Sequence, residues 1–575
     1  MSNKQISLTI NGTKVAAEEG QTILEVATAN DIYIPALCNH PDLTISASCR
    51  LCMVEIEGQK GMQASCATKA ADGMVVTTET PDIARARKAN LELLFSQHEE
   101  ECYDCIYHAK CSLLEMSRTC KANINQFVDR KKDMPVYEFG PSIVFDSRKC
   151  IDCKNCIEVC EKQGVCFYEL EDQPNDITEV VPTKDPKRDC IYCGQCIVHC
   201  PVGAIEAAGE FEEVEAFLAD KNKTIVVHFA PSIRTSIGEE FGLEHGSIVT
   251  GQLVAAIRKI EGVDVVMDTA HAADFTTIEE AKELVHRIKN NGVLPMFTAC
   301  CPAWVKFIEF NYPEFIPNLT SARAPHIMGG GLTKTYWAKK NNIDPKDIVV
   351  VSIMPCTAKK YDITRPEIQI DGMPPVDYVL TTRELAHLLR KHKIELDKLE
   401  PEEADSLLGD PTGSGVLYGA SGGVMESALR EAYYMITGKE MPKLEVKAVR
   451  GMEECKEAVI DIEGLKVKTA VINRNGNAIK MLERLKKEPD AYHYVEVMAC
   501  PGGCIGGGGQ PVPTTAEIRK KRAESLYQID TDAKIRVAHL NPLVKQAYDE
   551  FLYDEELVHK IFHTTYKKKK REVKL

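Results

Sequence analysis

Apolar and polar residues alternate along "QISLTI" and "TKVAAE", with a polar Asn11-Gly12 step between them, and the spacing then lengthens to a helical period in "TILEVATAN". A hairpin followed by a helix is predicted there. From Thr224 onward the pattern changes: "TIVVHFAPSI", "VDVVMDTA", "VLPMFTACCP", "DIVVVSIMPC", "VDYVLTT" and "YHYVEVMACP" are apolar runs separated by helical stretches. That alternation predicts α/β architecture with buried, largely parallel strands. Three runs end in cysteine: Cys300 and Cys301, Cys356, and Cys500 with Cys504. Ligands of open α/β sheets collect beyond the carboxyl ends of strands, so these thiols are expected at one buried site. Pro302 stands at a first-turn helical position and Lys359 three residues after Cys356; a helix N-terminus and an ammonium both favour thiolate over thiol. Helical periodicity returns in the last sixty residues, and the tail "YKKKKREVKL" reads as a frayed, solvated terminus.

Composition narrows the class. The 575 residues are too many for one ordinary core, and 70 basic against 85 acidic residues leave a formal charge of −15, which argues against a phosphate-binding surface and a nucleic-acid partner. The opening "MSNKQISLTINGTKV" has no basic stretch followed by an apolar run, and no apolar span is long enough to cross a bilayer; a cytoplasmic chain is expected. Of the 23 cysteines, 17 precede Pro201, and their clustering as CxxC reads as metal-binding thiolates, not disulfides.

Cys38, Cys49, Cys52 and Cys66 place a CxxC between two distant cysteines. Zinc is one occupant of such a set, and a 2Fe-2S cluster is the favoured one; the hairpin-helix frame resembles the 2Fe-2S domain of large iron-sulfur oxidoreductases, with a longer first gap than the plant-type run. His98, Cys102, Cys105 and Cys111 follow as H-x3-C-x2-C-x5-C. By spacing alone this is a zinc or a 4Fe-4S site; it resembles the His-and-three-Cys 4Fe-4S site of respiratory and hydrogen-metabolising enzymes, with His108 as a bystander. An internal repeat comes next, "CIDCKNCIEVCE" and "CIYCGQCIVHCP". Both halves carry the bacterial two-cluster ferredoxin run, in which the fourth cysteine serves the other cluster. That resemblance implies Cys150, Cys153, Cys156 and Cys200 on one 4Fe-4S cluster and Cys190, Cys193, Cys196 and Cys160 on the other, with Glu161 where the run usually has proline. Cys120, Cys166 and Cys455 fit no set and are expected to be packed thiols.

"FTACCPAW", "MPCTAKKYD" and "EVMACPGGCIGGGGQP" resemble the three signature segments of iron-only (FeFe) hydrogenases, and the cysteine array resembles the accessory clusters of that family's large monomeric members. The resemblance implies an H-cluster: a 4Fe-4S cube joined through a cysteine sulfur to a two-iron unit carrying carbon monoxide, cyanide and an azadithiolate. It implies Cys301, Cys356, Cys500 and Cys504 as ligands of the cube, Cys504 as the bridge, and Cys300 as the thiol that exchanges protons with the bridgehead amine. It further implies a relay through Glu280, Thr320 and Glu283, with Arg287 as outer partner. "TTIEEAKELVHRI" opens with a capping-box pattern, Thr276 to Glu279, and Glu280, Glu283 and Arg287 share a helix face; taken alone, that face reads better as an ordinary solvated one with a Glu283–Arg287 pair. Ala230, Pro231, Ser232 and Lys359 are implied to enclose or hydrogen-bond the cyanides, and Met354 and Met498 to wall the two-iron unit. The glycines after Cys500 are read as space beside a bulky cluster, and the runs "MGGGLTK" and "GASGGVME" as close backbone packing near it. Ala299, Ala324, Asp362 and Thr320 depart from the family's usual serine, serine, glutamate and serine, which marks a divergent subgroup.

The expected architecture is an α/β catalytic domain binding the H-cluster, preceded by α+β ferredoxin-like iron-sulfur modules: residues 1–80 (2Fe-2S), 81–126 (4Fe-4S on one histidine and three cysteines), 127–209 (two 4Fe-4S), 210–515 (catalytic) and 516–575 (a helical segment resembling a separate small subunit of some relatives). The expected cofactors are the H-cluster, three accessory 4Fe-4S clusters and one 2Fe-2S cluster. The expected activity is the reversible conversion of two protons and two electrons to dihydrogen, with ferredoxin as electron carrier, separate maturation proteins supplying the two-iron unit, no membrane span and a monomeric state. Iron-sulfur assembly and hydrogen-sensing homologues are the rival readings, and Cys300 argues against both.

Overall fold

The computed structural model describes residues 4–99, 102, 105–107, 110–173, 177–405 and 410–574. The opening hairpin pairs Gln5–Ile10 with Thr13–Glu18 in antiparallel register, and both turn residues, Asn11 and Gly12, take positive φ (49° and 80°), as a tight two-residue connection requires. Strands Val75–Thr77, Met53–Ile56 and Gln63–Ala64 extend it to a five-stranded sheet. Helix Ile23–Ala29 starts at Thr22, whose hydroxyl accepts from the Glu25 N–H at 3.2 Å while the Glu25 carboxylate accepts from the Thr22 N–H at 2.6 Å. That reciprocal cap satisfies two backbone donors and fixes where the helix begins.

The cysteine repeat is visible as a structural repeat. Helices Asn155–Lys162 and Gln195–Val198 both begin after a left-handed residue, Lys154 (φ 68°) and Gly194 (φ 66°), set between the second and third cysteine of each run. A three-stranded sheet, Ile205–Ala207, Ile143–Asp146 and Val136–Phe139, supports them.

The six apolar runs after Thr224 form strands, divided between two sheets. Val265–Asp268, Thr224–Phe229, Ile348–Met354 and Tyr378–Thr381 make an all-parallel sheet. Met296–Phe297 and Tyr494–Met498 join a second one, completed by the hairpin of Leu465–Asn473 and Cys455–Ile462. Cys356 therefore follows a strand of the first sheet, whereas Cys300, Cys301, Cys500 and Cys504 follow strands of the second. The thiols meet where the carboxyl ends of two sheets face each other, not along one sheet edge.

Three sequence expectations are corrected. Thr276 is not a helix cap: the helix runs from Ala270 to Lys289, so Thr276 lies inside it and its hydroxyl bonds the Ala272 and Arg323 carbonyls. Cys455 is exposed because it lies on the outer hairpin instead of in a core, whereas Cys120 is half-buried and packs against a hydrophobic core, and Cys166 is half-buried in a loop. The basic tail is docked, not frayed. Arg571 donates to the Thr183 and Asp185 carbonyls (2.7 and 2.8 Å), the Glu572 N–H to Asp189 (3.0 Å), and Val573 is buried at 3% exposure. Lys306, fully buried, binds Asp189 at 2.7 Å and Glu572 at 2.5 Å. A buried ammonium demands such partners, so the tail ties helix Pro302–Asn311 to the segment that carries the second cysteine repeat.

Candidate active site

Cys300, Cys301, Cys356, Cys500 and Cys504 line one cavity, with about 710 Å³ of atom-free space. Pro302 opens helix Pro302–Asn311 with Cys301 as its N-cap, and the loop after Met498 supplies the remaining pair. Burial pushes these thiols up, Cys356 to about 12; like charge among them adds to this, and Lys359 offsets only part. Burial therefore outweighs the ammonium that was expected to make thiolates. Five thiols gathered in one cavity without a disulfide make a soft donor set that gives up its protons to a metal. Ala230, Pro231, Ser232, Met354 and Met498 form one part of the wall, which is apolar apart from the Ser232 hydroxyl. The donor set and the walls fit an iron-sulfur cluster joined to a metal unit whose small ligands ask for few hydrogen bonds.

Lys359 is buried; its ammonium donates to the Cys300 carbonyl at 3.0 Å and to Asp362 at 3.0 Å. Asp362 also takes the Nε2 of His326 at 3.0 Å. Although burial raises it, the Asp362 carboxyl is held well below the usual range by Lys359 and His326. His326 itself is pushed down to about 4 by burial and by Lys359, so the group at the cavity wall is a neutral imidazole beside an ion pair. His326, Thr269, Pro325 and Tyr418 line the cavity and were not read from sequence. Each lies outside the cysteine segments, and only tertiary packing brings it in.

Gly503 and Gly507 line the cavity, as space beside a bulky group requires, and the glycine bed has a second job besides. A Cβ on Gly507 would sit 2.1 Å from the Pro355 carbonyl oxygen, and one on Gly508 would sit 2.5 Å from the Cα of Gly194. These glycines let three backbones touch, joining the second cysteine repeat to the cavity floor. Thr357 donates to the Tyr192 carbonyl (2.7 Å) and Gln195 to the Gly506 carbonyl (2.9 Å) across the same joint. Gly508→Ala is expected to destabilise the chain by about 1–3 kcal/mol, since backbone, not a flexible side chain, must yield; a lowered thermal unfolding midpoint of the cluster-loaded chain checks it. The "MGGGLTK" glycines pack closely as well, Gly330 against the Pro375 carbonyl, but they do not line the cavity, whereas Gly419 of "GASGGVME" does.

On helix Ala270–Lys289, Glu280 is buried at 1% exposure and accepts from the Tyr494 hydroxyl at 2.9 Å. Burial pushes its carboxyl up to about 8, with Glu283 and Glu496 adding to the rise. The Cys300 thiol is raised by burial and then by Glu280, which places the two within electrostatic reach. Thr320 donates to Glu283 at 2.7 Å and is not bonded to Glu280. Burial raises Glu283, but Arg287, Thr320 and Ser321 outweigh it and hold the carboxyl low.

The accessory thiols lie near one another in the fold. Cys66 feels Cys52, Cys38 and Cys49. Cys156 lies within electrostatic reach of Cys150, Cys153, Cys196 and Cys200, and Cys190 of Cys196, Cys193 and Cys160, so the fourth cysteine of each run lies near thiols of the other run. His98 is buried, with Nδ1 2.8 Å from the Lys149 carbonyl; donating there leaves Nε2 as the nitrogen with a free lone pair, the tautomer of a metal-ligating histidine. Cys105 and Cys111 are within electrostatic reach of each other, Cys102 is half-buried, and His108 lies outside the described residues.

Residues 223–508 match the family profile described as "Iron only hydrogenase large subunit, C-terminal domain". Residues 3–81 match a 2Fe-2S iron-sulfur cluster binding domain, 187–206 a 4Fe-4S binding domain, and 516–569 the iron hydrogenase small subunit. The "NADP-reducing hydrogenase subunit HndD" of Solidesulfovibrio fructosivorans is 38% identical, over 98% of this chain and 99% of its own length. The chain belongs to the iron-only (FeFe) hydrogenase family. "Iron hydrogenase 1" of Clostridium pasteurianum is likewise 38% identical, over 98% of this chain and all of its own. Among solved structures, a variant of the apo FeFe hydrogenase HydA1 of Chlamydomonas reinhardtii superposes with a TM-score of 0.56 at 36% identity, over 62% of this chain and 98% of that one. An H-cluster domain, a 2Fe-2S domain and a 4Fe-4S domain are thus parts of this FeFe hydrogenase-family chain. No helix among its described residues is long and apolar enough to cross a membrane.

Proposed function

We propose that this chain is a working hydrogenase, with Cys300 as the proton-exchanging thiol at the cavity. The observation that carries this reading is the fifth thiol: four cysteines suffice for a cube and its bridge, and a fifth lines the same cavity within reach of a buried carboxyl that burial pushes up to about 8. Cys301, Cys356, Cys500 and Cys504 would hold the cube, with Cys504 as the bridge. When bound, the H-cluster supplies the redox chemistry that interconverts protons and dihydrogen.

The chain's own residues do the rest. Met354, Met498, Ala230 and Pro231 keep water from the cavity, while Ser232 and Lys359 offer hydrogen bonds to cyanide nitrogens. Lys359 has two of its three protons committed, to Cys300 and Asp362, which aims the third. Glu280, with its carboxyl raised, receives protons from and returns them to Cys300, and Thr320 orients Glu283 as the next carrier.

Electrons would enter through the 2Fe-2S set and the His98 set. Cys153 feels Cys38, and Glu206 lies within reach of both Cys105 and Cys200, so both inputs converge on the Cys150, Cys153, Cys156 and Cys200 set. The second set, Cys190, Cys193, Cys196 and Cys160, then abuts the cavity, where the Cys500 Sγ is 3.9 Å from the Cys193 carbonyl. This supports three accessory 4Fe-4S clusters and one 2Fe-2S cluster arranged as a branched wire, fed by ferredoxin or a similar carrier. The five segments bounded at residues 80, 126, 209 and 515 serve as its units. Maturation proteins supply the two-iron unit to a cytoplasmic, monomeric chain. Anaerobically matured protein is expected to evolve hydrogen from reduced viologen; matured protein that binds its clusters and evolves none would favour the assembly or sensing reading.

A further inference from the structure

The relay has an inner end at Cys300, but Arg287 cannot be its outer end. Its guanidinium donates to Glu283 (3.0 and 2.5 Å) and to the carbonyls of Val293, Pro317, Asn318 and Leu319 (2.9–3.2 Å). A guanidinium stays protonated at every working pH and accepts nothing, so Arg287 clamps Glu283 and carries no proton away from it.

The free route from Glu283 leads elsewhere. Its Oε2 takes the Ser321 N–H at 2.9 Å and lies 3.0 Å from the Ser321 hydroxyl. That hydroxyl is also 2.9 Å from Nδ1 of His563, whose Nε2 is 3.2 Å from Glu279. His563 follows helix Glu555–Phe562 in the small-subunit-like segment, pairs with Ala322 through a β-bridge, and has 14% of its side chain open to solvent.

We propose that Ser321 and His563 form the outer end of the proton path, so that the C-terminal segment supplies the residue through which protons enter and leave the catalytic domain. The proposal rests on the relay reading of Cys300, Glu280 and Glu283. Protonated Glu283 gives its proton to the Ser321 oxygen while Ser321 gives its own hydroxyl proton to Nδ1 of His563. Glu283 becomes a carboxylate, Ser321 ends as it began, and the imidazole becomes an imidazolium that loses a proton to bulk water; uptake is the reverse.

The surrounding charges suit this exchange. Glu279 on the relay helix is pushed up by burial, but His563, Lys282 and Tyr548 outweigh that and hold it ionised. Its carboxylate faces Nε2–H, which leaves the Nδ1 lone pair for Ser321. Lys282 (2.8 Å) and the Tyr548 hydroxyl occupy the other Glu279 oxygen. Arg323 binds the His563 carbonyl oxygen (2.7 Å), and the exposed His559 ring stacks on His563 at 5.1 Å. Glu279 and Glu283 bring negative charge to the ring, while Arg323 is spent on carbonyls.

The test compares the matured full-length chain with His563→Gln, His563→Ala and Cys300→Ser, measuring hydrogen evolution from reduced viologen at pH 5 to 9 in H2O and D2O. His563→Gln retains hydrogen bonds to Ser321 and Glu279 but passes no proton. It should lose roughly tenfold or more in turnover, show a larger solvent isotope effect, and unfold at the wild-type temperature. Added imidazole should restore most of the activity of His563→Ala, which a packing role could not produce. Wild-type turnover of His563→Gln at every pH beside an inactive Cys300→Ser would overturn the exit while leaving the relay standing, as would slow variants that imidazole leaves slow. Full activity of Cys300→Ser would remove the relay itself.

Discussion

Cys300→Ser should lower hydrogen turnover by about 10²- to 10⁴-fold, the range for removing a positioned proton donor, while iron content and visible cluster absorption stay at wild-type levels. Cys300 lines the cavity beside the four ligand candidates, but a cube and its bridge need only those four. Serine keeps the shape and a hydroxyl, so the walls hold. What changes is acidity: an alcohol grips its proton far more tightly than a thiol, and burial that already pushes the thiol well up makes a serine alkoxide inaccessible. Turnover with iron analysis on the same preparation separates the two effects. Loss of iron would make Cys300 a ligand, and unchanged turnover would place the proton path elsewhere.

Glu280→Gln is expected to cost a similar factor, about 10²- to 10⁴-fold, and to carry a second signature in stability. The amide can still accept from Tyr494 but exchanges no proton. The folded-state carboxyl of Glu280 is raised from 4.5 to about 8, so the folded chain holds this proton over a range in which the unfolded chain has released it. The corresponding stability is fully present below pH 4.5 and is lost as pH rises through about 8. Wild-type chain should therefore lose unfolding midpoint between pH 6 and pH 9 by more than Glu280→Gln does. Parallel pH profiles of the two midpoints would show that Glu280 is not the buried acid described here, whatever the turnover.

Much of this was legible in sequence, for local reasons. Metal ligands come in short fixed spacings, so the cysteine sets and the repeat declared themselves, and β-branched apolar runs declared the strands. The partition into two sheets was not legible, because each run carries the period of a buried strand whichever partner it takes. Thr276 misled because a threonine three residues before a glutamate has the same spelling inside a helix as at its start; the small buried residues Ala270, Ala272 and Ala273 that begin the helix give no cap signal. The tail looked solvated because its partners lie hundreds of positions away: Arg571 donates to the Thr183 and Asp185 carbonyls, and the Glu572 N–H to Asp189. The same distance hid Ser321 and His563, and hid His326, which touches the cavity only through the packing of its helix. Glycine was recognised as necessary after Cys500, but the contact that demands it, Gly508 on Gly194, lies between modules.

The account stands most directly on what the cavity holds. Infrared spectra of the anaerobically matured chain, beside the same chain with Cys504→Ala, test it. Wild type should show the sharp carbon monoxide and cyanide bands of a protein-bound two-iron unit, and the variant should lose them. Matured wild type without such bands, or bands that persist unchanged without Cys504, would contradict it.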